Sequence, residues 1–446
     1  MPARTVGTGD RSARRTLDRS IWSIAGPALV TLAAEPVYLL VDTAIVGRLG
    51  TDALAGLAVA SSVLLFVVGA CIFLTFGTAA TVARRVGAGD RTGAAALSVQ
   101  ALWLAVACAA VATPLLVALG RPVVELFGAG AAVAADATTY LRISLLGLPA
   151  LLLTMACTGA LRGHLDARTP MVVVISANVV NLVLEVWFVF GLGWGIAGSA
   201  AGTVVAQWLG AAALVTAVLR RTLPLGVGVR PRRDGITTLA VVGRDLFVRT
   251  VALRAALTAT TVLAARRGAV ALAAYQVAFQ WWVTMAYLLD ALEAAAQSLV
   301  GRALGAGDVD GARRTGDRIL LWSTGGGFVV GLATVVLAAP ISTLFTDDPA
   351  VGPLVVSSLW WVGATQPISG AAFALDGILV GAGDQRFLAG AMVASLVVLL
   401  TAGAATLAAG TGLWGVWLAV TVFMASRVVV LGVRYRSGTW SGHTAR

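Results

Sequence analysis

The chain has 446 residues and a formal net charge of +11, yet only 12% of it is charged and 59% is hydrophobic. A soluble domain carries about a quarter charged residues, so this exterior is too poor in charge to be wetted and must largely face lipid. All 32 basic residues are arginine, and they sit in short segments between apolar runs; that placement excludes the continuous basic face a nucleic-acid partner would need.

The opening segment, 1–19, is polar and arginine-rich. It leads into an apolar run too long for the core of a signal peptide, so it reads as a retained cytoplasmic tail. A membrane-crossing helix needs about 20 apolar residues. Twelve runs meet that need. Six lie at 20–47, 53–82, 94–119, 138–160, 171–191 and 194–219. Six more lie at 237–265, 269–300, 319–339, 353–380, 387–409 and 412–432. The spacing thus predicts a first lobe over 20–219, a linker over 220–236, a second lobe over 237–433 and a tail over 434–446. The linker contains Pro224 and Pro231 and reads as a charged tether.

Arginine placement orients the spans. With the first residue in the cytoplasm, the tails and even-numbered loops hold 24 of the 32 arginines, and the odd-numbered loops hold four. Both termini are therefore expected in the cytoplasm, with the chain multi-pass in the cytoplasmic membrane.

The second half repeats the first at a constant shift of 218 residues. Gly87-Ala88-Gly89-Asp90 and Gly93 recur as Gly305-Ala306-Gly307-Asp308 and Gly311; Pro122 and Pro149 recur as Pro340 and Pro367; Leu161, Gly163, Asp166 and Arg168 recur as Leu379, Gly381, Asp384 and Arg386. Six helices per half return the chain to the same side, so the halves are parallel repeats about an axis along the membrane normal. The expected fold is an all-α integral membrane protein of twelve transmembrane helices, arranged as two six-helix repeats. The Gly-Ala-Gly-Asp segments lack the lysine and preceding strand of a phosphate loop and read as helix–helix turns. Pro149 and Pro367 are expected to kink matched helices.

Cys71, Cys108 and Cys157 lie inside apolar runs and offer no disulfide or metal framework. The two histidines, His164 and His443, are too few for a zinc or histidine-based catalytic site. No nucleophile–base pair emerges either, so the chain does not read as an enzyme. No cofactor and no structural metal are expected.

Features found in only one half need a cause other than the fold, because a charge inside a bilayer costs a few kcal/mol on insertion scales. At the shift of 218, Asp42 meets Thr260, Glu35 meets Leu253 and Glu185 meets Gly403. The second half has its own acids: Asp290, Glu293 and Asp376 meet Ile72, Thr75 and Thr158. Helical rise places Asp42, Glu185 and Thr203 roughly 8–14 Å below the outer surface. Asn181 and Glu185 share one helix face. Two carboxylates near each other disfavour double ionisation, so Asp42 and Glu185, with Asn181 and Thr203, form a candidate site for one proton or one transported sodium ion. Glu35 precedes Pro36 and is carried as a neighbour of that site.

These segments resemble the multidrug and toxic compound extrusion family, in its DinF-type branch. Pro27 and the run Leu40 to Gly50 resemble the first-helix signature. Asn181-Leu182-Val183-Leu184-Glu185 resembles an Asn-x-x-Leu-Asp run, and Gly195 to Thr203 resembles the entry to the sixth helix. Leu289-Asp290 and Leu375 to Gly381 resemble second-lobe signatures. The resemblance implies two six-helix lobes forming a V and export driven by a proton or sodium gradient. It implies a first-lobe cation site of Asp42, Asn181, Glu185 and Thr203, with Tyr140 beside it and Pro27 bending the first helix. Glu185 stands where the family pattern has Asp.

The expected function is therefore antiport: export of amphipathic or cationic small molecules in exchange for H⁺ or Na⁺. Arg249, Arg254, Gln276, Trp281, Asp290, Glu293 and Asp376 are candidates for the second-lobe cavity, with Arg249 and Arg254 alternatively paired to acids of the eighth and tenth helices. The rivals are a flippase for a lipid-linked precursor and a non-transporting receptor or scaffold. The partners expected are small-molecule substrates and the bilayer, with no nucleic acid. A monomer is the simpler expectation, since one chain supplies both bundles.

Overall fold

The computed structural model describes residues 9–125, 130–346 and 348–445. Alanine, leucine and valine dominate the apolar runs, and with every backbone group needing an internal partner in lipid the helix is the available solution. The helices are α1 (Gly9–Gly47), α2 (Thr51–Ala70), α3 (Phe73–Gly87), α4 (Arg91–Glu125), α5 (Ala131–Ser144), α6 (Leu148–Gly163), α7 (Arg168–Val186) and α8 (Gly195–Thr222). The second half adds α9 (Arg233–Ala265), α10 (Ala269–Gly305), α11 (Val309–Val336), α12 (Ala338–Phe345), α13 (Gly352–Ala382), α14 (Gln385–Ala408) and α15 (Leu413–Arg436).

Taken as rods, with α2–α3, α5–α6 and α11–α12 each one broken span, the described residues form twelve. Eight are long and apolar enough on their own to cross a membrane, and the pair α5–α6, bent by 52°, makes a ninth. The other three, α1, α10 and α13, are 39, 37 and 31 residues long. They carry the polar side chains described below, which lower their hydropathy.

The repeat is visible in local detail. Gly89 and Gly307 both have φ of 74°, a left-handed conformation that glycine adopts without strain and that ends one helix sharply. Asp90 and Asp308 then cap the next: the Gly93 N–H donates to Asp90 at 2.8 Å and the Gly311 N–H to Asp308 at 2.7 Å. These bonds are the N-cap geometry of a helix start, and the Gly93 N–H holds the Asp90 carboxyl below its usual range. The Gly-Ala-Gly-Asp segments are thus turns. A Cβ on Gly159 would meet the Thr75 carbonyl at 2.4 Å, and one on the twin Gly377 would meet the Glu293 carbonyl at 2.6 Å. In each half, then, bare glycine backbone lets one helix seat directly on another.

The prolines are less symmetric than expected. Pro149 stands at the start of α6, just past the 52° bend, whereas its twin Pro367 lies inside an unbroken α13. Likewise Pro122 lies inside α4, while its twin Pro340 belongs to the short α12 that follows a break at Leu337.

The described chain divides into two compact units, one of residues up to Leu29 with Val248–Arg446, the other Val30–Phe247. This departs from the lobes expected at 20–219 and 237–433, because α1 and α9 each change unit part-way along. Specific contacts explain both exchanges. At the start of α1, Asp18 takes two bonds from Arg318 of α11, both at 2.7 Å, and one from the Trp322 indole at 2.8 Å. At the start of α9, the preceding strap is clamped to α4. Gln100 donates to the Arg230 carbonyl at 3.2 Å and accepts from the Arg232 N–H at 2.8 Å, and the Trp103 indole donates to the Val229 carbonyl at 2.7 Å. Each unit has its own apolar core, around Leu57, Leu104, Tyr140 and Leu148 in one and Tyr275, Trp282, Leu359 and Phe423 in the other.

Candidate functional site

Within the unit Val30–Phe247, α8 closely approaches α7 and the π-helical turn that follows it, Trp187–Gly191, through two glycines. A Cβ on Gly198 would meet the Phe188 carbonyl carbon at 2.9 Å, and one on Gly202 would meet the Glu185 amide nitrogen at 3.0 Å. Small residues four apart are what allow such packing in a membrane. The residue after each glycine, Ser199 and Thr203, then stands one turn apart and joins the polar groups of α1 and α7.

The result is a continuous cluster. The Ser199 hydroxyl donates to Asp42 at 2.9 Å. The Thr203 hydroxyl is 3.1 Å from the Tyr38 hydroxyl, bonds the Ser199 carbonyl at 3.1 Å, and receives the Asn181 amide at 3.3 Å. Asp42 is 3% exposed, Asn181 4% and Glu185 0%. Glu185 interacts with Asp42 and Ser199, but neither of its carboxylate oxygens meets hydrogen-bond geometry with any described group. Buried Tyr140 of α5 completes the wall, interacting with Ser199, Asp42, Tyr38 and Glu185. The polar groups tied to the two carboxyls are hydroxyls, phenols and an amide, and none is a base.

The structure thus brings together Asp42, Asn181, Glu185, Thr203 and Tyr140. It adds Tyr38 and Ser199, which sequence reasoning passed over. Both sit four residues before a predicted site residue, Tyr38 before Asp42 and Ser199 before Thr203, so the i, i+4 rule was the signal that could have found them. Pro27 does not join the cluster: it precedes Asp42 by about four helical turns and belongs to the other compact unit. The side chain of Glu35 lies outside the described residues.

At the equivalent positions of the second half the side chains carry no charge. Thr260, the twin of Asp42, bonds the Tyr275 hydroxyl at 2.6 Å. Tyr275 packs against Trp417, the twin of Ser199, with ring centroids 5.3 Å apart. Gly403, the twin of Glu185, carries no side chain to ionise.

The second-half acids form a different arrangement. Arg249 of α9 lies 2.9 Å from Asp376 of α13 and 3.5 Å from Glu293 of α10, and Arg427 of α15 pairs with the same Asp376. Glu293 also accepts from Gln297 at 3.2 Å. Arg427 is further held beneath Phe373 and Phe423, 5.8 and 5.7 Å from their ring centres. All four charged side chains are buried, and two positive charges balance two negative ones; half-buried Asp290 adds its charge beside Arg249 and Glu293. Arg249 therefore pairs with acids of the eighth and tenth rods. Arg254 is exposed and makes no ion pair among the described residues. Gln276 is exposed, and Trp281 donates to Thr334 of α11 at 3.0 Å, so neither shares this cluster. Arg427 was missed, though a mid-span charge whose twin is Leu209 was the available signal.

The fold and cluster define a class: a duplicated, multi-pass membrane protein, helical throughout its described residues, with the Asp42–Glu185 pair in the half whose twin positions hold Thr260 and Gly403. The MatE family model matches residues 27–187 and 250–405, one stretch in each half. The chain is 33% identical to Protein DETOXIFICATION 44, chloroplastic, of Arabidopsis thaliana, over 94% of this chain and 83% of that protein. It is 30% identical to DNA damage-inducible protein F of Escherichia coli, over 96% of this chain and 95% of that one. A crystal structure of MATE in the bent conformation superposes with a TM-score of 0.87 at 20% identity, covering 99% of this chain and 100% of that chain. The chain belongs to the MatE family. It is a multi-pass secondary efflux transporter, and neither the flippase nor the scaffold reading is favoured by these relatives, which are transporters and not enzymes.

Proposed function

We propose that the chain exports amphipathic, cationic small molecules in exchange for a cation bound between Asp42 and Glu185, and that this cation is a proton. Relatives named as probable multidrug resistance proteins, such as that of Deinococcus radiodurans at 29% identity, support export of drug-like molecules. The observation that carries the ion assignment is Glu185, fully buried beside a second carboxyl with both oxygens unbonded. A buried charge without a partner is too costly to persist, and two adjacent carboxyls relieve the cost by sharing one proton. The surrounding hydroxyls are already engaged, Tyr38 with Thr203, Thr203 with the Ser199 carbonyl and Ser199 with Asp42, which leaves them poorly placed to wrap a sodium ion. Asn181 and Thr203 hold the pair in position, and Tyr38 and Tyr140 close it off.

The cycle needs a substrate and a proton with different affinities for two states. Loss of the shared proton leaves two negative charges in a dry cluster, which drives α1 away from α7. Both termini and the arginine-rich even-numbered loops face the cytoplasm. The ion-paired quartet of Arg249, Glu293, Asp376 and Arg427 serves as an anchor and not as a second cation site. One chain acts as the functional unit.

The test is efflux of a cationic dye from vesicles under an imposed pH gradient or an imposed sodium gradient. A pH gradient alone is expected to drive export, and Asp42→Asn to abolish it. Export driven by sodium alone would replace the proton with sodium, and export driven by neither would end the antiport reading.

A further inference from the structure

The turn between α9 and α10 holds a charge that its twin position lacks: Arg267 stands where the first half has Leu49. Its guanidinium reaches across to α14 and to the turn that joins α14 to α15. The Arg267 Nε donates to the carbonyls of Thr411 and Gly412, both at 2.9 Å. Nη1 donates to the Leu263 carbonyl of α9 at 2.7 Å. Nη2 donates to the Thr406 hydroxyl at 3.2 Å and, at the longer distance of 3.5 Å, to the Thr411 hydroxyl. Both hydroxyls are themselves oriented. Thr406 donates to the Gly403 carbonyl at 3.0 Å and Thr411 to the Thr406 carbonyl at 2.7 Å. Each therefore turns a lone pair to the arginine.

This contact is built to be permanent. A guanidinium is a rigid planar fork, so bonds on several of its sides fix its position and its angle together. None of its partners is an acid or a base, and the guanidinium itself stays charged. Bare glycine backbone brings the helices together beneath it. A Cβ on Gly403 of α14 would overlap the Leu263 side chain of α9, and one on Gly415 of α15 would overlap the Thr411 hydroxyl. Thus α9, α14 and α15 converge on one side chain.

At the shift of 218 residues, α9, α14 and α15 are the twins of α1, α7 and α8. Those are the three helices that meet at Asp42, Glu185 and Ser199. The first-half twins of Arg267, Thr406 and Thr411 are Leu49, Phe188 and Gly193, and none has a side chain that can donate or accept a hydrogen bond. Conversely, the twin of Glu185 is Gly403, and Leu263 fills the space beside it. The same helix triple is joined in one half by carboxyls that gain and lose a proton, and in the other by an arginine that does not.

We propose that Arg267 is a positioning residue for transport: it pins the C-terminal end of α9 to α14 and α15, so that this triple stays closed while its first-half twin opens. The pin rests on the geometry; the opening of the first-half triple rests on the antiport reading above.

The experiment places spin labels at twin positions of the cysteine-free full chain in lipid nanodiscs. Ala44→Cys/Val186→Cys reports α1 against α7, and Val262→Cys/Ala404→Cys reports α9 against α14; all four sites are exposed. Interspin distances are compared at mildly acidic and mildly alkaline pH. The first-half distance is expected to shift, and the second-half distance to stay single. Arg267→Leu, which installs the residue of the twin, removes the pin. Loss of even one hydrogen bond to a charged group shifts an equilibrium by about tenfold, so a second, longer distance between α9 and α14 should grow at least that much in population. Arg267→Lys keeps the charge without the fork and should fall between, which decides the matter if the leucine variant does not fold. A general loss of stability would loosen both pairs alike, whereas loss of the pin loosens the second alone. A wild-type second-half distance that shifts with pH as the first-half one does would overturn the proposal. So would loosening of both pairs alike, or folded Arg267 variants whose second-half distance stays single. A first-half pair that stays still, with the second loosened in Arg267→Leu, would sink the proton reading and leave the pin standing.

Discussion

Gly202 of α8 lies against the backbone of Glu185 in α7, so close that a Cβ there would stand 3.0 Å from the Glu185 amide nitrogen and 3.2 Å from its Cα. The neighbour is backbone and cannot rotate away. Gly202→Val is therefore expected to push α7 off α8, widening the gap between Glu185 and Asp42. Overpacking of this kind costs about 1–3 kcal/mol. Efflux should fall more than melting temperature does, because one helix pair shifts while the rest of the unit stays packed. Equal efflux in vesicles at matched protein amount would show that this approach does not position the pair.

Glu185→Gln separates fold from function. In the folded chain both carboxylate oxygens are buried and outside hydrogen-bond geometry, so a neutral isostere removes a potential charge and loses no bond beyond the proton shared with Asp42. The variant is expected to melt no lower than wild type and to lose gradient-driven efflux. Asp42→Asn should also stop efflux, and it disturbs one hydrogen bond, from Ser199. Ser199→Ala deletes that bond, worth about 1.5–3 kcal/mol to a charged acceptor, together with the Ser199 contacts to Glu185 and Tyr140; it is expected to shift the pH at which efflux is half-maximal while leaving export intact. A pH profile of dye efflux for the three variants checks all of this.

The second-half quartet is expected to behave in the opposite way. Asp376 bonds two buried arginines, Arg249 and Arg427, and its removal leaves both charges short of a partner. Breaking a buried pair from one side costs about 3–5 kcal/mol. Asp376→Asn should therefore lower the melting temperature strongly in detergent, whereas Asp42→Asn should scarcely move it. Similar melting temperatures for the two variants would mean that the quartet is not an anchor.

These contrasts show how much of the molecule could be read before any coordinates. The shift of 218 residues located the paired turns at Asp90 and Asp308, because a cap is a local device set by adjacent residues. Subtracting the repeat isolated Asp42 and Glu185, because an acid in lipid needs a reason that the fold alone does not supply. Ser199 and Tyr38 escaped, since an uncharged hydroxyl costs far less than an acid inside lipid and so did not call for a partner, although each stands four residues before a site residue. The partners of Arg427 escaped because they come from α13, far along the chain, and only packing brings them together. Pro27 was tied to Asp42 through the family resemblance of the first helix, but α1 passes from one compact unit to the other just beyond Leu29. Sequence proximity along a rod says nothing about which neighbours each end of it meets.

Leu165 is the one non-glycine among the described residues with positive φ, at 62°. It follows α6 in the turn after Gly163, and its twin at the shift of 218 is Gly383, with φ of 85° after α13. The two turns are the same device, but only the second has the residue suited to it. A left-handed conformation costs a residue with a Cβ about 1–2 kcal/mol, partly offset by the extra chain freedom that glycine loses on folding. Leu165 is half-buried, so its side chain contributes some packing as well. Leu165→Gly is nevertheless expected to keep or slightly raise the melting temperature, while Gly383→Leu lowers it. The asymmetry should appear in a thermal melt of the two variants measured side by side. A large loss for Leu165→Gly would mean that the side chain's packing outweighs its backbone strain.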